Sequence, residues 1–287
     1  MKIKDLFTRK TVFSFEVFPP KKTSPVETIF STLEELRDLK PDFISVTLGA
    51  GGSGNGGLSC DIASKIKDEY GITPMLHLPC VNHTQEQITC ILTELESRGI
   101  ENVLALRGDI TPGIEPVNHF RYASDLVSFI KKHGDFDVAG ACYPECHGEQ
   151  DSLAADILNL KKKVDAGADH LITQLFFDNS VFYDFIEKVR IAGINVPVEA
   201  GIMPVVNKNQ IERMVAMCGA SLPNKFVKVM QRYEGNPAAL RDAGIAFAID
   251  QIIDLVAQGV DGIHLYTMNN PYVARKISEA VNEIFVG

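Results

Sequence analysis

The fold is decided by Asp137–Phe177, DVAGACYPECHGEQDSLAADILNLKKKVDAGADHLITQLFF. An apolar run closes on Tyr143-Pro144-Glu145-Cys146-His147, where Pro144 cannot extend a strand ladder. A helical run follows, with Leu153, Ile157, Leu160 and Val164 recurring on one face. Asp156, Asn159 and Lys163 fall on another face, with Lys162 beside them. A second apolar run then delivers Gln174, and the whole reads as a βαβ unit. Polar groups thus gather where two parallel strands end, the place where parallel α/β folds bind ligands.

The same rhythm extends outward in both directions. Strands are expected at Val12–Val17, Phe43–Leu48, Pro74–Leu78, Asn102–Leu106, Pro197–Ile202 and Asp261–Tyr266. Helix starts are expected at Ser24-Pro25-Val26-Glu27 and at Thr84-Gln85-Glu86-Gln87, both with capping-box spacing. Residues 207–258 predict a helix to about Met217 and a longer one over Ala238–Ala257, with PNKFVKVM between them. Eight strand-then-helix units with no linker predict an α/β fold, a single (β/α)8 TIM barrel over residues 1–287. A doubly wound sheet is the rival. It would normally carry a GxGxxG fingerprint after the first strand, and none is present.

Composition excludes several classes. The chain has 287 residues, 45% of them hydrophobic, enough for one full core. A net charge of -9 and a pI near 5.3 argue against nucleic acid and anionic membrane as partners. No apolar run is long enough to span a bilayer, and MKIKDLFTRK lacks the apolar centre of a signal peptide. Six scattered cysteines predict reduced thiols and a cytoplasmic setting. Cys142, Cys146 and His147 invite a zinc reading but lack a second ligand pair, so no metal is expected. The six glycines of Gly49–Gly57 do not form a P-loop.

In such a barrel the chemistry belongs to the strand ends, which hold Glu16, Thr47, His77, Asp109, Tyr143, Gln174 and Tyr266. Each alone is also what a wet strand end looks like. Glu16 lies within FSFEVF, where desolvation should raise its pKa and make it a proton donor near neutral pH. An ion pair with Arg107 is expected to keep Asp109 charged. Taken alone, the Asp156/Asn159/Lys162/Lys163 face reads more readily as solvated helix than as a phosphate site. No expected strand carries a lysine for Schiff-base chemistry unless Lys228, in FVKVM, lies on one.

Together, FSFEVFPP, SVTLGAGGSG, HLPC, LALRGD, ACYPECH, LNLKKKVDAGADHLITQLFFD, GIMPV and HLYTMN resemble the methylenetetrahydrofolate reductase family, in family order over Phe13–Asn269. The resemblance implies a barrel that binds FAD and passes hydride from NADH or NADPH to 5,10-methylenetetrahydrofolate. It implies a general acid at Glu16, and at Asp109 a carboxylate near flavin and pterin. Thr47, His77, Arg107, Gly108, Tyr122, Ala123, Tyr143 and His147 would line the FAD, with Thr47 also facing the hydride partner. Asp156, Asn159, Lys162 and Lys163 would hold its ribose and pyrophosphate, while Gln174 and Gln210 would contact the folate. On this resemblance the regulatory domain of eukaryotic members is absent, and a homo-oligomer is expected. Met214 stands where better-known bacterial members of the family usually have an aromatic, and Asn270 where they usually have an arginine. Those departures leave NADH, NADPH and an electron-transfer protein such as ferredoxin open as donors. Two rival readings are a catalytically silent flavin-binding subunit and a barrel enzyme acting on a phosphorylated substrate.

Overall fold

A computed structural model describes the chain except residues 22, 49–55, 111, 112, 114, 208–210, 212, 213, 216, 217, 286 and 287. Eight strands close a barrel in sequence order: β1 (Val12–Val17), β2 (Phe43–Val46), β3 (Thr73–Pro79), β4 (Asn102–Leu106), β5 (Asp137–Cys142), β6 (His170–Thr173), β7 (Val198–Ile202) and β8 (Gly262–Tyr266). Every strand pairs parallel with its neighbours, and β8 returns to β1 with Glu16 opposite Tyr266.

Helices fill the connections: α1 (Glu27–Arg37), α2 (Gly56–Asp68), α3 (Gln85–Ser97), α4 (Ala123–His133), α5 (Leu153–Asp165) and α6 (Asn179–Ile191). After β7 come α7 (Asn224–Tyr233) and α8 (Pro237–Ala257), and α9 (Pro271–Phe285) closes the chain. Lys228 therefore lies on a helix, so no described strand offers a Schiff-base lysine. The glycine-rich segment and most of the helix expected to end near Met217 lie outside the described residues.

Two helix starts were expected to carry capping boxes, and one does. Thr84 accepts from the Gln87 N–H at 3.2 Å while the Gln87 side chain accepts from the Thr84 N–H at 2.8 Å. At α1 the helix begins at Glu27 instead, with Val26 at the cap and no side-chain bond. The N–H groups of Thr28 and Ile29 bond three residues back, to Pro25 and Val26, so a tight first turn replaces the box.

Strand alternation divides the side chains. Phe13, Phe15 and Val17 join the layer between barrel and helices, while Val12, Ser14 and Glu16 face inward. At the foot of the barrel Ile3 and Leu6 pack against Val12, Phe43, Met75, Leu104, Ala139 and Ile172. The backbone there is tied down: Ile3 N–H donates to Asn102 Oδ1 at 3.0 Å and Lys4 N–H to Asp137 Oδ2 at 2.8 Å. At the other end, Phe226 of α7 stacks on Phe177, ring centroids 5.6 Å apart, and sits near Phe247 at 4.5 Å.

Candidate active site

Two adjoining clefts open at the strand exits. The central one, about 410 Å³, is lined by all seven strand-end residues named from the sequence, Glu16, Thr47, His77, Asp109, Tyr143, Gln174 and Tyr266. Arg107, Gly108 and His147 join them, as does Met214. The second, about 220 Å³, runs over β5 and α5 between Tyr122, Ala123 and the face of Asp156, Asn159, Lys162 and Lys163. Arg107, Tyr143 and His147 line both. Gln210 lies outside the described residues.

Glu16 faces two histidines. Its Oε2 is 3.6 Å from His77 Nε2 and 3.8 Å from His264 Nε2, too far for hydrogen bonds and close enough for strong electrostatic coupling. Burial pushes its carboxyl upward, but the two imidazoles outweigh burial and hold it below its ordinary value. The expected raised pKa is therefore reversed: desolvation acts as anticipated, and the facing histidines, one of them unread in the sequence, win. His77 itself is lowered to about 4, chiefly by burial, and its Nε2 has no hydrogen-bond partner in the protein. This atom is buried and faces the Glu16 carboxylate.

Arg107 also differs from expectation. Its guanidinium forms a two-pronged pair with Glu149, Nη2 to Oε1 at 2.8 Å, and not with Asp109. The geometry favours Glu149 because a planar fork matches a carboxylate across the groove, whereas Asp109 is two residues away on the same turn. Asp109 is exposed at the rim.

The wall built from ACYPECH is well fastened. The His147 N–H donates to Asp156 Oδ2 at 2.9 Å, and the rings of Tyr143 and His147 meet edge to face at 4.6 Å. Burial pushes the Tyr143 hydroxyl up to about 12, so it remains a phenol. Lys163 lies across β5 and donates to the Ala141 carbonyl. A Cβ on Gly140 would come within 2.7 Å of that lysine's Cδ, so the glycine makes the crossing possible. Lys162 donates to Asn159 Oδ1 at 2.9 Å, and Asn159 Nδ2 donates to Gln150 Oε1 at 3.0 Å. Gln174 folds back so that its Oε1 accepts from the Leu175 N–H at 2.8 Å. Asn270 is not among the cleft-lining residues; it begins α9, its Oδ1 accepting from the Val273 N–H at 3.3 Å.

Sequence reasoning missed the layer beneath the cleft. Ser14 Oγ lies 2.7 Å from His264 Nδ1 and 2.9 Å from Glu199 Oε1, and all three residues are buried. The inward parity of β1 and β8, two residues back from Glu16 and from Tyr266, was the available signal. Among the described residues, no cluster of three His, Cys, Asp or Glu side chains could hold a metal ion, and no helix is long and apolar enough to cross a membrane.

Comparison with known proteins bears on this site. A family model described as methylenetetrahydrofolate reductase matches residues 2–282. The chain is 40% identical over 275 residues to methylenetetrahydrofolate reductase (NADH) 1 of Arabidopsis thaliana, covering 91% of this chain but only 46% of that protein. It is 38% identical over 256 residues to a 5,10-methylenetetrahydrofolate reductase of Pectobacterium carotovorum subsp. carotovorum, covering 89% of this chain and 85% of that one. A solved structure described as an uncharacterized protein from Clostridium thermocellum that binds two copies of 5-methyl-5,6,7,8-tetrahydrofolic acid superposes with a TM-score of 0.68. At 13% identity over the whole of both chains, that likeness speaks for the fold alone.

Proposed function

The chain belongs to the methylenetetrahydrofolate reductase family, and on that premise we propose that it reduces 5,10-methylenetetrahydrofolate to 5-methyltetrahydrofolate, using FAD and NADH, NADPH or another electron donor. The observation that carries this reading is the convergence of Glu16, His77, Asp109 and Gln174 on one cleft that continues into the lysine-bearing groove over α5.

The donor set fits FAD. Lys162, Lys163 and Arg107 offer cationic donors to a pyrophosphate, and Asp156 and Asn159 offer a carboxylate and an amide to ribose hydroxyls. Thr47, His77, Gly108, Tyr143 and His147 surround the space for a ring system in the central cleft. Tyr122 and Ala123 line the outer end, where the Tyr122 ring is exposed. Bound FAD would supply reversible two-electron hydride chemistry there. Arg107 must exchange Glu149 for the cofactor to use both prongs.

The protein's own part is proton delivery and orientation. Glu16 is the acid that assists opening of the folate's methylene bridge. Its low resting proton affinity means that it is loaded in the complex, where a stacked pterin excludes water and raises the affinity of a desolvated carboxyl. Asp109 at the rim stabilises cationic folate, and the Gln174 amide matches a pterin edge once it releases the Leu175 N–H. Thr47, which lines the same cleft, would face the hydride partner.

Glu16→Gln tests the reading. The variant should keep its flavin and its NADH oxidation with a small quinone acceptor, while folate-linked turnover falls by roughly 10²–10⁴-fold. Equal loss of both activities would reassign Glu16 to shaping the cofactor pocket.

A further inference from the structure

Beneath the cleft, a column of polar side chains descends the barrel from Glu16, and its lower members Ser14, His264 and Glu199 are buried. Glu16 meets His264 at 3.8 Å, His264 Nδ1 meets Ser14 Oγ at 2.7 Å, and Ser14 Oγ meets Glu199 Oε1 at 2.9 Å. Glu199 is completely buried on β7, and its second oxygen has no partner. We propose that Glu199 is a positioning acid for this site: acting through Ser14, it fixes His264 with its proton on Nε2, facing the Glu16 carboxylate. The catalytic consequence rests on Glu16 being the acid; the hydrogen-bond arrangement does not.

The barrel has been shaped around this carboxyl group. Glu199 is in register with Gly262, where a Cβ would come within 2.7 Å of Glu199 Cγ and 3.1 Å of the Val12 carbonyl. Any other residue at position 262 would displace the acid. Among the described residues no cation pairs with it. The charged groups that act on it are Asp42, Asp137 and Asp261, all acidic, and among the described residues Ser14 is its one hydrogen-bond partner. A buried carboxylate without a cation is costly, so the group keeps its proton. Burial first, then those three carboxylates, hold its pKa well above the ordinary range, against the opposing pull of Ser14.

The protons can then be counted. A protonated Glu199 donates to Ser14 Oγ. The single Ser14 proton then has two acceptors to choose from, the Ile263 carbonyl at 3.4 Å and His264 Nδ1 at 2.7 Å, and the shorter contact takes it, so Nδ1 becomes an acceptor. Nε2 is left as the N–H, 3.4 Å from Ser45 Oγ and 3.8 Å from Glu16 Oε2. Were Glu199 ionised, every bond would reverse, and a bare Nε2 lone pair would face Glu16 and demand a proton from it. The two arrangements differ by one proton shifted along the column, with no change in net charge. Other groups facing these residues do not compete: Phe43 stacks on the imidazole at 5.9 Å, and the Tyr266 hydroxyl is committed to the Thr173 carbonyl at 2.7 Å. His77, the other group facing Glu16, feels His264 electrostatically, but its Nε2 makes no hydrogen bond to the column.

The experiment uses the full chain labelled with ¹⁵N-histidine, the His264 signals being assigned by their loss in His264→Gln. Long-range ¹H–¹⁵N spectra read which ring nitrogen carries the proton in the unaltered protein, Glu199→Gln, Glu199→Leu and Ser14→Ala. The expected result is an Nε2–H imidazole in the unaltered protein and in Glu199→Gln, whose amide still donates to Ser14. Glu199→Leu and Ser14→Ala should give a mixture of tautomers. In parallel, the alkaline midpoint of folate-linked turnover should rise by about one pH unit in those two variants and stay in place in Glu199→Gln. An Nδ1–H or doubly protonated His264 in the unaltered protein at neutral pH overturns the proposal. So does a Ser14→Ala protein unchanged in both readouts, which settles the matter if Glu199→Leu does not fold. Tautomers as expected beside a Glu16→Gln enzyme of full folate activity would sink the reading of Glu16 and leave the column standing.

Discussion

Glu16 and Glu199 are two carboxyl groups within one barrel, driven in opposite directions by what faces them. Two imidazoles hold Glu16 below its ordinary value, while burial among acids holds Glu199 above it. The sign for stability follows from linkage. Below the ordinary carboxyl pKa both folded and unfolded chains keep the Glu199 proton, and its full contribution is present. As pH rises the unfolded chain loses that proton first, so stability is lost until the folded value is passed. Glu199→Gln cannot ionise, and its advantage over the unaltered protein should grow by about 1.4 kcal/mol per pH unit across that window. Urea melts at pH 4 and pH 8 check this; an equal difference at both would mean that Glu199 is not protonated in the fold. Glu16 was legible in the sequence because a charge inside FSFEVF is conspicuous. Its pKa was not, because the deciding imidazole, His264, lies 248 positions downstream and reaches it only through barrel closure. Met214 does line the cleft where better-known bacterial members of the family usually have an aromatic, so Met214→Phe should lower the NADH KM, whereas Asn270, tied to the start of α9, should matter less. An unchanged NADH KM in Met214→Phe would show that the methionine already serves.

At the scale of the element, α5 shows what a single helix leaves ambiguous. Its periodicity gave both faces, and Ser152 caps it as such a start should, accepting from the Ala155 N–H at 3.2 Å. Whether the lysine face met water or a ligand depended on the loop before it, which the sequence marked only as polar. The fold lays that loop over the face through Asp156 and His147, turning a solvated surface into a groove wall. Reversing both charges, Lys162→Glu with Lys163→Glu, should weaken FAD by a few kcal/mol, since charge-assisted bonds contribute roughly 1.5–3 kcal/mol each. Fluorescence titration of the apoprotein measures it, and undiminished affinity would remove this face from the cofactor site. The start of α1 was misread for a related reason. Ser24 and Glu27 have the spacing of a capping box, but spacing does not fix the backbone, and the chain is still turning at Pro25 when the helix begins.

For the molecule as a whole, the count of strand-then-helix units carried the barrel, because each parallel pair needs a crossover and the crossovers are visible as periodic runs. What the count could not show was how the barrel is closed below. In the sequence the N-terminal segment shows only basic residues and no signal-peptide centre, yet Ile3 is fully buried and Lys4 pairs with Asp169 at 3.0 Å. Only closure of the sheet brings Asn102, Asp137 and Asp169 together beneath it, from three strand starts that are far apart in sequence. The plug and the cleft therefore occupy opposite mouths of one barrel, with Leu104 and Ile172 packed on the plug below and lining the cleft above. Ile3→Ala removes a buried side chain from the lower cluster and should cost about 2–5 kcal/mol, the usual range for such a truncation. Because the layer of Met75, Leu104 and Ile172 stands between, FAD affinity measured well below the melting transition should stay within a factor of two or so. A calorimetric loss of stability with unchanged cofactor affinity would establish the two ends as separable. If affinity fell in step with stability, the lower layer would have to be transmitting packing to the site, and the inward column from Glu199 to Glu16 would be its most direct path.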